Sequence, residues 1–287
     1  MKKKLLVQVS VTESDFELYG KVLFCSLNNL VRKVKFAVSV ILVYQSSGSG
    51  PSNLPGSLYG LKIVVTPIFG VSAARNAGLD HARQHGYDYI LFHDASVFVT
   101  DSFVELVNIT IAKNLCVSKG VVRWTSDLLS NPVTDFIIAD GYANPIYDTY
   151  VGSYVFNVDF LSGMSFSNNL GPGSETVLKA GEDVVFLNKL FSYAGRVKLP
   201  VCKTAFINHL PRPADGSKRL MYAEAQGVLL RWMLNPKRVS LWGGIYFFAF
   251  FGNALFSCVL RRKNSFEILT LRLKGFCDFD NKRRFIN

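Results

Sequence analysis

Residues 61 to 96 constrain the fold more tightly than any other part of this chain. Leu61 to Thr66 reads as a strand, and Val71 to His85 as a helix with Ala74, Ala77, Gly78, His81 and Ala82 on one narrow face of small side chains. Gly86 is the expected helix stop, and Tyr87 to Phe92 is strand again. Strand, helix, strand in succession implies parallel strands, because a parallel pair needs the long crossover that a helix supplies. The last strand runs into His93-Asp94-Ala95-Ser96, so one carboxylate arrives at a C-terminal strand end. Open α/β sheets place their ligands at that edge.

The flanking sequence extends the pattern. Leu5 to Thr12 reads as a buried strand, Asp15 to Leu30 as a helix with Ser14 as N-cap, and Lys35 to Gln45 as a second strand before the turn-rich loop Ser46 to Pro55. Beyond Asp94 regularity fades into a helix near Ser102 to Lys113, an extended stretch over Val117 to Thr125, and a polar loop rich in Tyr and Asp from Ser126 to Tyr150. Ser153 to Phe166 reads as strand and Ser167 to Ser174 as a Gly/Asn/Pro loop. Asp183 to Ala194 is an amphipathic helix, with Val184, Leu187, Leu190, Phe191 and Ala194 at helical spacing, and Arg196 to Asn208 is a strand ending at His209. The predicted fold class is α/β, a mostly parallel central sheet flanked by helices.

The 287 residues are 49% hydrophobic and 18% charged, too apolar for disorder, and some of that surplus must meet lipid or a partner. A net charge of +11 suits an anionic partner without choosing one. The five cysteines are scattered and form no C-x-x-C pair, which favours reduced, buried thiols in a cytoplasmic setting. Lys2-Lys3-Lys4 resembles a signal-peptide start in charge, but Gln8, Ser10 and Thr12 interrupt the apolar run.

Val239 to Leu260 holds no charged residue and is flanked by Lys237-Arg238 and Arg261-Arg262-Lys263. About 20 such residues span a bilayer, yet positive charge on both sides gives no orientation. Residues 261–287 carry eight Lys/Arg against three Asp/Glu, five of the eleven net charges. That tail favours an in-plane or re-entrant helix on acidic lipid over a clean span, with a buried core helix as the alternative. The expected division is therefore a catalytic domain over 1–238, its halves meeting near residue 100, and a hydrophobic, basic appendix over 239–287.

Several groups could carry chemistry. Asp94 can reach a ribose hydroxyl or, through a divalent cation, a diphosphate; otherwise it starts a turn. Arg75 and Asn76 lie in the first turns of a helix whose free N–H groups attract phosphate; otherwise Arg75 forms a surface salt bridge. Asp183 opens a helix after Gly181-Glu182, a place where acidic residues are favoured by the helix dipole alone. His209 ends a strand, with Arg212, Lys218 and Arg219 just downstream.

The run Gly70-Val71-Ser72-Ala73-Ala74-Arg75-Asn76-Ala77-Gly78, followed by Asp94-Ala95-Ser96, resembles the G-x-x-x-A-R-N-x-G … D-x-D signature of family 2 inverting glycosyltransferases of the GT-A fold, those of bacterial surface-polysaccharide assembly. The resemblance covers roughly residues 5 to 235. It implies that Gly70, Arg75, Asn76, Asp94 and Ser96 bind a nucleoside-diphosphate sugar. Glu182-Asp183 resembles the family's E-D motif, which implies Asp183 as the base that deprotonates the acceptor hydroxyl and Glu182 on the acceptor side. His209 matches a histidine that serves in many members as a metal or diphosphate ligand, so Asp94 and His209 become the metal candidates. Ser96 stands where the family has its second aspartate, and a neutral hydroxyl is the poorer ligand for Mn²⁺ or Mg²⁺; Asp101 or water could substitute. Val11 to Ser14 and Tyr44 to Ser47 replace the family's base-contacting residues, leaving base recognition to Glu13 and Gln45 or to other groups.

The resemblance implies an inverting glycosyltransferase on the cytoplasmic face of the inner membrane, passing a sugar to a lipid-linked glycan in O-antigen, capsule or exopolysaccharide synthesis. The alternative is a degenerate GT-A protein that binds nucleotide sugar or lipid without turnover. A nucleotidyltransferase would want a Gly-rich basic loop directly after the first strand, and Val9 to Tyr19 holds none. Charge alone suggests nucleic acid, but no basic–aromatic module supports it.

Overall fold

The computed structural model describes residues 2–51, 53–54, 58, 60–132, 135–141, 149–173, 175–193, 199–211, 217–234 and 241–286, with side chains at 192–193, 241–247 and 250 outside the description. Two compact units share them: residues 1–166 with 183–211, and residues 167–182 with 212–287.

In the first unit, β1 (Lys4–Thr12), β2 (Ala37–Gln45), β3 (Leu61–Thr66) and β4 (Tyr89–Asp94) form the parallel part of the sheet, in the order β3-β2-β1-β4. Their alternate residues feed two cores. Leu5, Val7, Val9 and Val11 face Phe16, Leu23 and Leu27 of α1 (Glu13–Lys33) and Phe103 and Val107 of α3 (Asp101–Ala112). Leu6, Ile90 and Phe92 face Ala74, Leu79 and Ala82 of α2 (Val71–Gln84) and Phe186, Leu187 and Leu190 of α4 (Glu182–Tyr193). The small face of α2 is explained here, since a Cβ on Gly78 would sit 1.9 Å from the Gln8 side chain beneath it. The N-cap of α1 is Thr12, accepting from the Asp15 N–H at 3.2 Å, in place of the expected Ser14.

The other half of the sheet departs from the expected parallel order. β8 (Tyr154–Asn157) runs antiparallel between β4 and β6 (Val117–Trp124), and β6 pairs in parallel with β9 (Leu199–His209). β5 (Val97–Val99) and β7 (Ile138–Gly141) both pair antiparallel with β9, so β7 lies inside the stretch expected to be loop. Among the described residues the sheet is mixed, with four parallel and four antiparallel pairings. The strand expected over 153–166 stops at Asn157, whose Oδ1 accepts the Phe160 N–H at 3.2 Å as the chain turns into a short 3₁₀ segment, Asp159–Leu161.

In the second unit α5 (Ser217–Met233) and α7 (Ser265–Cys277) cross at Gly227 and Gly275, where a Cβ would come within 2.0 Å of the Arg272 carbonyl and 2.1 Å of the Glu224 carbonyl. Glu224 pairs with Lys274 at 3.2 Å and Lys282 at 2.5 Å. The apolar run expected to meet the bilayer forms α6 (Leu241–Val259). Among the described residues no helix is long and apolar enough to cross a membrane. The cysteine expectation also needs correction: Cys202 is buried, but Cys25, Cys116 and Cys277 are exposed.

Candidate functional site

β4 carries Asp94 to the C-terminal edge of the sheet, in register with Ser10 of β1. Asp94-Ala95-Ser96-Val97 then turns into β5, and Val97 pairs with His209. Trp124 of β6 pairs with the same His209 from the other side, so the turn bearing Asp94 and Ser96 runs into a strand that flanks this histidine. Beneath the turn, His93 is buried; its Nδ1–H donates to the Asp94 carbonyl at 2.8 Å and its Nε2 accepts from Ser26 Oγ at 2.8 Å. Ser26 Oγ in turn accepts the Val99 N–H at 2.9 Å, so one chain of bonds ties α1 to both sides of the turn. Burial holds the His93 pKa down at about 4, so the ring is neutral at physiological pH.

Arg75 joins the site from the first turns of α2. Its side chain is only 3% exposed, with the guanidinium over the Phe166 ring at 5.4 Å. Nη2 meets Asp94 Oδ1 at 3.3 Å and Nη1 donates to Asp183 Oδ1, so one cation serves two carboxylates. A surface salt bridge does not describe this arrangement. Asp183 Oδ2 also accepts the Val151 N–H at 3.0 Å. Burial raises the Asp183 pKa above its usual value, helped by the Asp94 charge and opposed by Arg75 and the Val151 N–H.

Tyr150 and Val151 lie at the end of the loop where the sequence shows no periodicity, and sequence reasoning assigned them no role. The buried Tyr150 hydroxyl titrates well above 10, first through burial and then through the charge of Asp94 beside it. Its ring stands edge-on to His209 at 5.8 Å, while Trp124 tilts over His209 at 4.7 Å. His209 Nδ1 donates to the Leu210 carbonyl at 2.8 Å.

The remaining sequence candidates divide. Gly70 is the N-cap of α2, and its N–H donates to Gln45 Oε1 at 2.6 Å; Gln45 therefore secures this loop. Asn76 spends its amide on the Phe166 backbone, accepting at 2.8 Å and donating at 2.9 Å, and so fixes the ring under Arg75. Ser96 is half-buried in the turn, and Glu182 is the first residue of α4, one place before Asp183. Glu13 accepts from Ser46 Oγ at 3.3 Å. Asp101 is held by Lys33 and Asn29 at 2.6 and 3.1 Å. Lys218 and Arg219 lie at the start of α5, and Arg212 lies outside the described residues.

Asp94 offers a partly exposed carboxylate, Ser96 a hydroxyl and His209 an imidazole. Among the described residues no group of three or more His, Cys, Asp or Glu side chains could enclose a metal ion.

No protein-family model and no curated protein matches this chain. Solved structures do. S. aureus TarS 1–349 in complex with UDP-GlcNAc superposes with a TM-score of 0.53 at 16% identity, over 81% of this chain and 67% of that one. Glucosyl-3-phosphoglycerate synthase from Mycobacterium tuberculosis, in complex with Mn²⁺, UDP and glucosyl-3-phosphoglycerate, gives 0.53 at 14% identity, over 80% and 79%. Against a longer structure of S. aureus TarS the chain spans 40% of that protein's length. The chain shares the GT-A-like α/β fold of these proteins.

Proposed function

We propose that this protein is an inverting glycosyltransferase that moves a sugar from a nucleoside-diphosphate donor to a glycan acceptor. The observation that carries the reading is the meeting of Asp94 and Asp183 on Arg75 at the C-terminal sheet edge. In that fold the neighbours were solved with UDP-GlcNAc or UDP bound.

Asp94 faces the donor, binding a ribose hydroxyl or the diphosphate. A divalent cation, Mn²⁺ or Mg²⁺, held by Asp94 and His209 would neutralise the leaving diphosphate when bound. Asp183 takes the proton of the acceptor hydroxyl as that oxygen attacks the anomeric carbon from the face opposite the nucleotide. Arg75 and the Val151 N–H fix the direction of its lone pairs, and burial keeps it more basic than an exposed aspartate. Glu182 lies on the acceptor side. We place the acceptor on a lipid carrier at the cytoplasmic face of the inner membrane, in surface-polysaccharide assembly. The basic C-terminal tail and the apolar α6 support that setting.

A panel of nucleotide sugars, scored by protection against thermal unfolding and then by transfer, tests the reading. One donor should protect and be consumed, and Asp183→Asn should lower transfer by about 10²–10⁴ while leaving donor binding near normal. Unchanged turnover in Asp183→Asn would remove the base from Asp183. The engagement of both carboxylates by Arg75 favours a second reading, a protein that binds the donor without turnover. Protection with neither transfer nor donor hydrolysis would select it.

A further inference from the structure

We propose that the turn joining α6 to α7 is a docking surface for an anionic lipid bilayer, with α6 lying in the plane of the interface. On α6, Ala254 is buried and Phe251 packs against Phe276 of α7 at 5.9 Å. Its other face leaves Phe248, Leu255, Phe256 and Val259 in solvent, with Phe248 75% and Val259 78% exposed. At 100° per residue these four positions fall within about a third of the helix circumference, so they form one stripe. Leu260 continues it into the turn, and Phe266 at the start of α7 is 76% exposed. Single exposed apolar residues are ordinary, whereas a contiguous stripe marks a surface that meets something.

The same turn carries Arg261, Arg262 and Lys263, all exposed, and among the described residues none of them has an ion-pair partner. Glu267, one turn into α7, is the nearest acidic residue in sequence. The turn is ordered: the Arg261 N–H donates to the Cys258 carbonyl at 2.9 Å and the Arg262 N–H to the Ser257 carbonyl at 3.0 Å. Apolar side chains bordered by cations match the acyl boundary and anionic headgroups of a bilayer. A second copy of the chain fits less well, because it would set one net-positive tail against another. Because Ala254 is buried and Phe251 packs on α7, only one face of α6 is left to meet lipid, which sets the helix along the surface.

This inference deepens the membrane setting proposed above, and it is measured without any sugar transfer, so it can fail while the catalytic reading stands. The full chain should float with phosphatidylcholine vesicles containing phosphatidylglycerol, and binding should weaken as salt rises. Combined Arg261→Ser, Arg262→Ser and Lys263→Ser should reduce affinity for the anionic vesicles by roughly 100-fold and make binding less sensitive to salt. Val259→Asn with Phe256→Ser should weaken binding to vesicles of either composition, at an unchanged thermal midpoint; Val259→Asn alone serves if the pair fails to fold. Absence of vesicle binding by the parent chain, or parental binding by both variants, overturns the proposal. So does a concentration-dependent dimer in light scattering that Val259→Asn disperses, which would make a second copy the occupant.

Discussion

The Arg75 guanidinium and the Asp183 carboxylate, 108 residues apart in sequence, form an ion pair in which the two side chains are 3% and 13% exposed. One element brings the cation beside the sheet edge, another brings the anion, and Asp94 shares the guanidinium from a third. The pair links the integrity of the fold to the geometry of the proposed base.

Removing the cation should therefore be felt first as lost stability. Arg75→Met keeps the side-chain volume but leaves two carboxylates with an uncompensated charge, a change that typically costs about 3–5 kcal/mol in buried pairs. Urea unfolding should show the midpoint fall by a corresponding amount. A variant as stable as the parent would mean that Asp94 and Asp183 are solvated well enough to dispense with Arg75.

Acid should destabilise the protein through His93. Its pKa is about 4 in the folded protein against about 6.5 in an unfolded chain, so the unfolded chain binds the extra proton as pH falls. The stabilisation is full above about pH 6.5 and is lost progressively as pH falls towards 4, on the order of 3 kcal/mol in all. Urea unfolding at about pH 7 and about pH 5 should show a drop in the parent that is smaller in His93→Gln. Equal drops in the two proteins would assign the acid sensitivity to other groups.

Metal dependence should respond to the turn after β4. Ser96 contributes no charge there, so Ser96→Asp should strengthen the dependence of donor binding on Mn²⁺, read by calorimetry with and without the metal. Tight, metal-dependent binding in the parent that the substitution leaves unchanged would show that the second position of the turn is not a ligand.

The α5–α7 crossing should tolerate no Cβ. Gly275→Ala would press a methyl group towards the Glu224 carbonyl, and Gly227→Ala would press one towards that of Arg272; both obstacles are backbone. Each should cost about 1–3 kcal/mol, despite the better helix propensity of alanine. Thermal unfolding of the two variants checks this, and a gain in stability from either would mean that the helices can move apart at little cost.

The run from β1 to β4 is legible from local signals: buried strands, one narrow small-residue face on α2, and a glycine stop. The same signals set Asp94 at a strand end and Asp183 at a helix start. The rest depends on long-range packing. Nothing near Arg75 in sequence says that its guanidinium turns inward, since its partners arrive from β4 and α4. The fold engages the Asn76 and Gln45 amides with backbone, at Phe166 and Gly70. Tyr150 and Val151 carry no periodic signal, and they enter the site only because β8 inserts antiparallel between β4 and β6. Periodicity reports which face of a segment is buried, and it carries no information about which distant segment covers that face. Pairings across 67 and 108 residues, Ser26 with His93 and Arg75 with Asp183, are settled by the packing of the whole sheet and its helices.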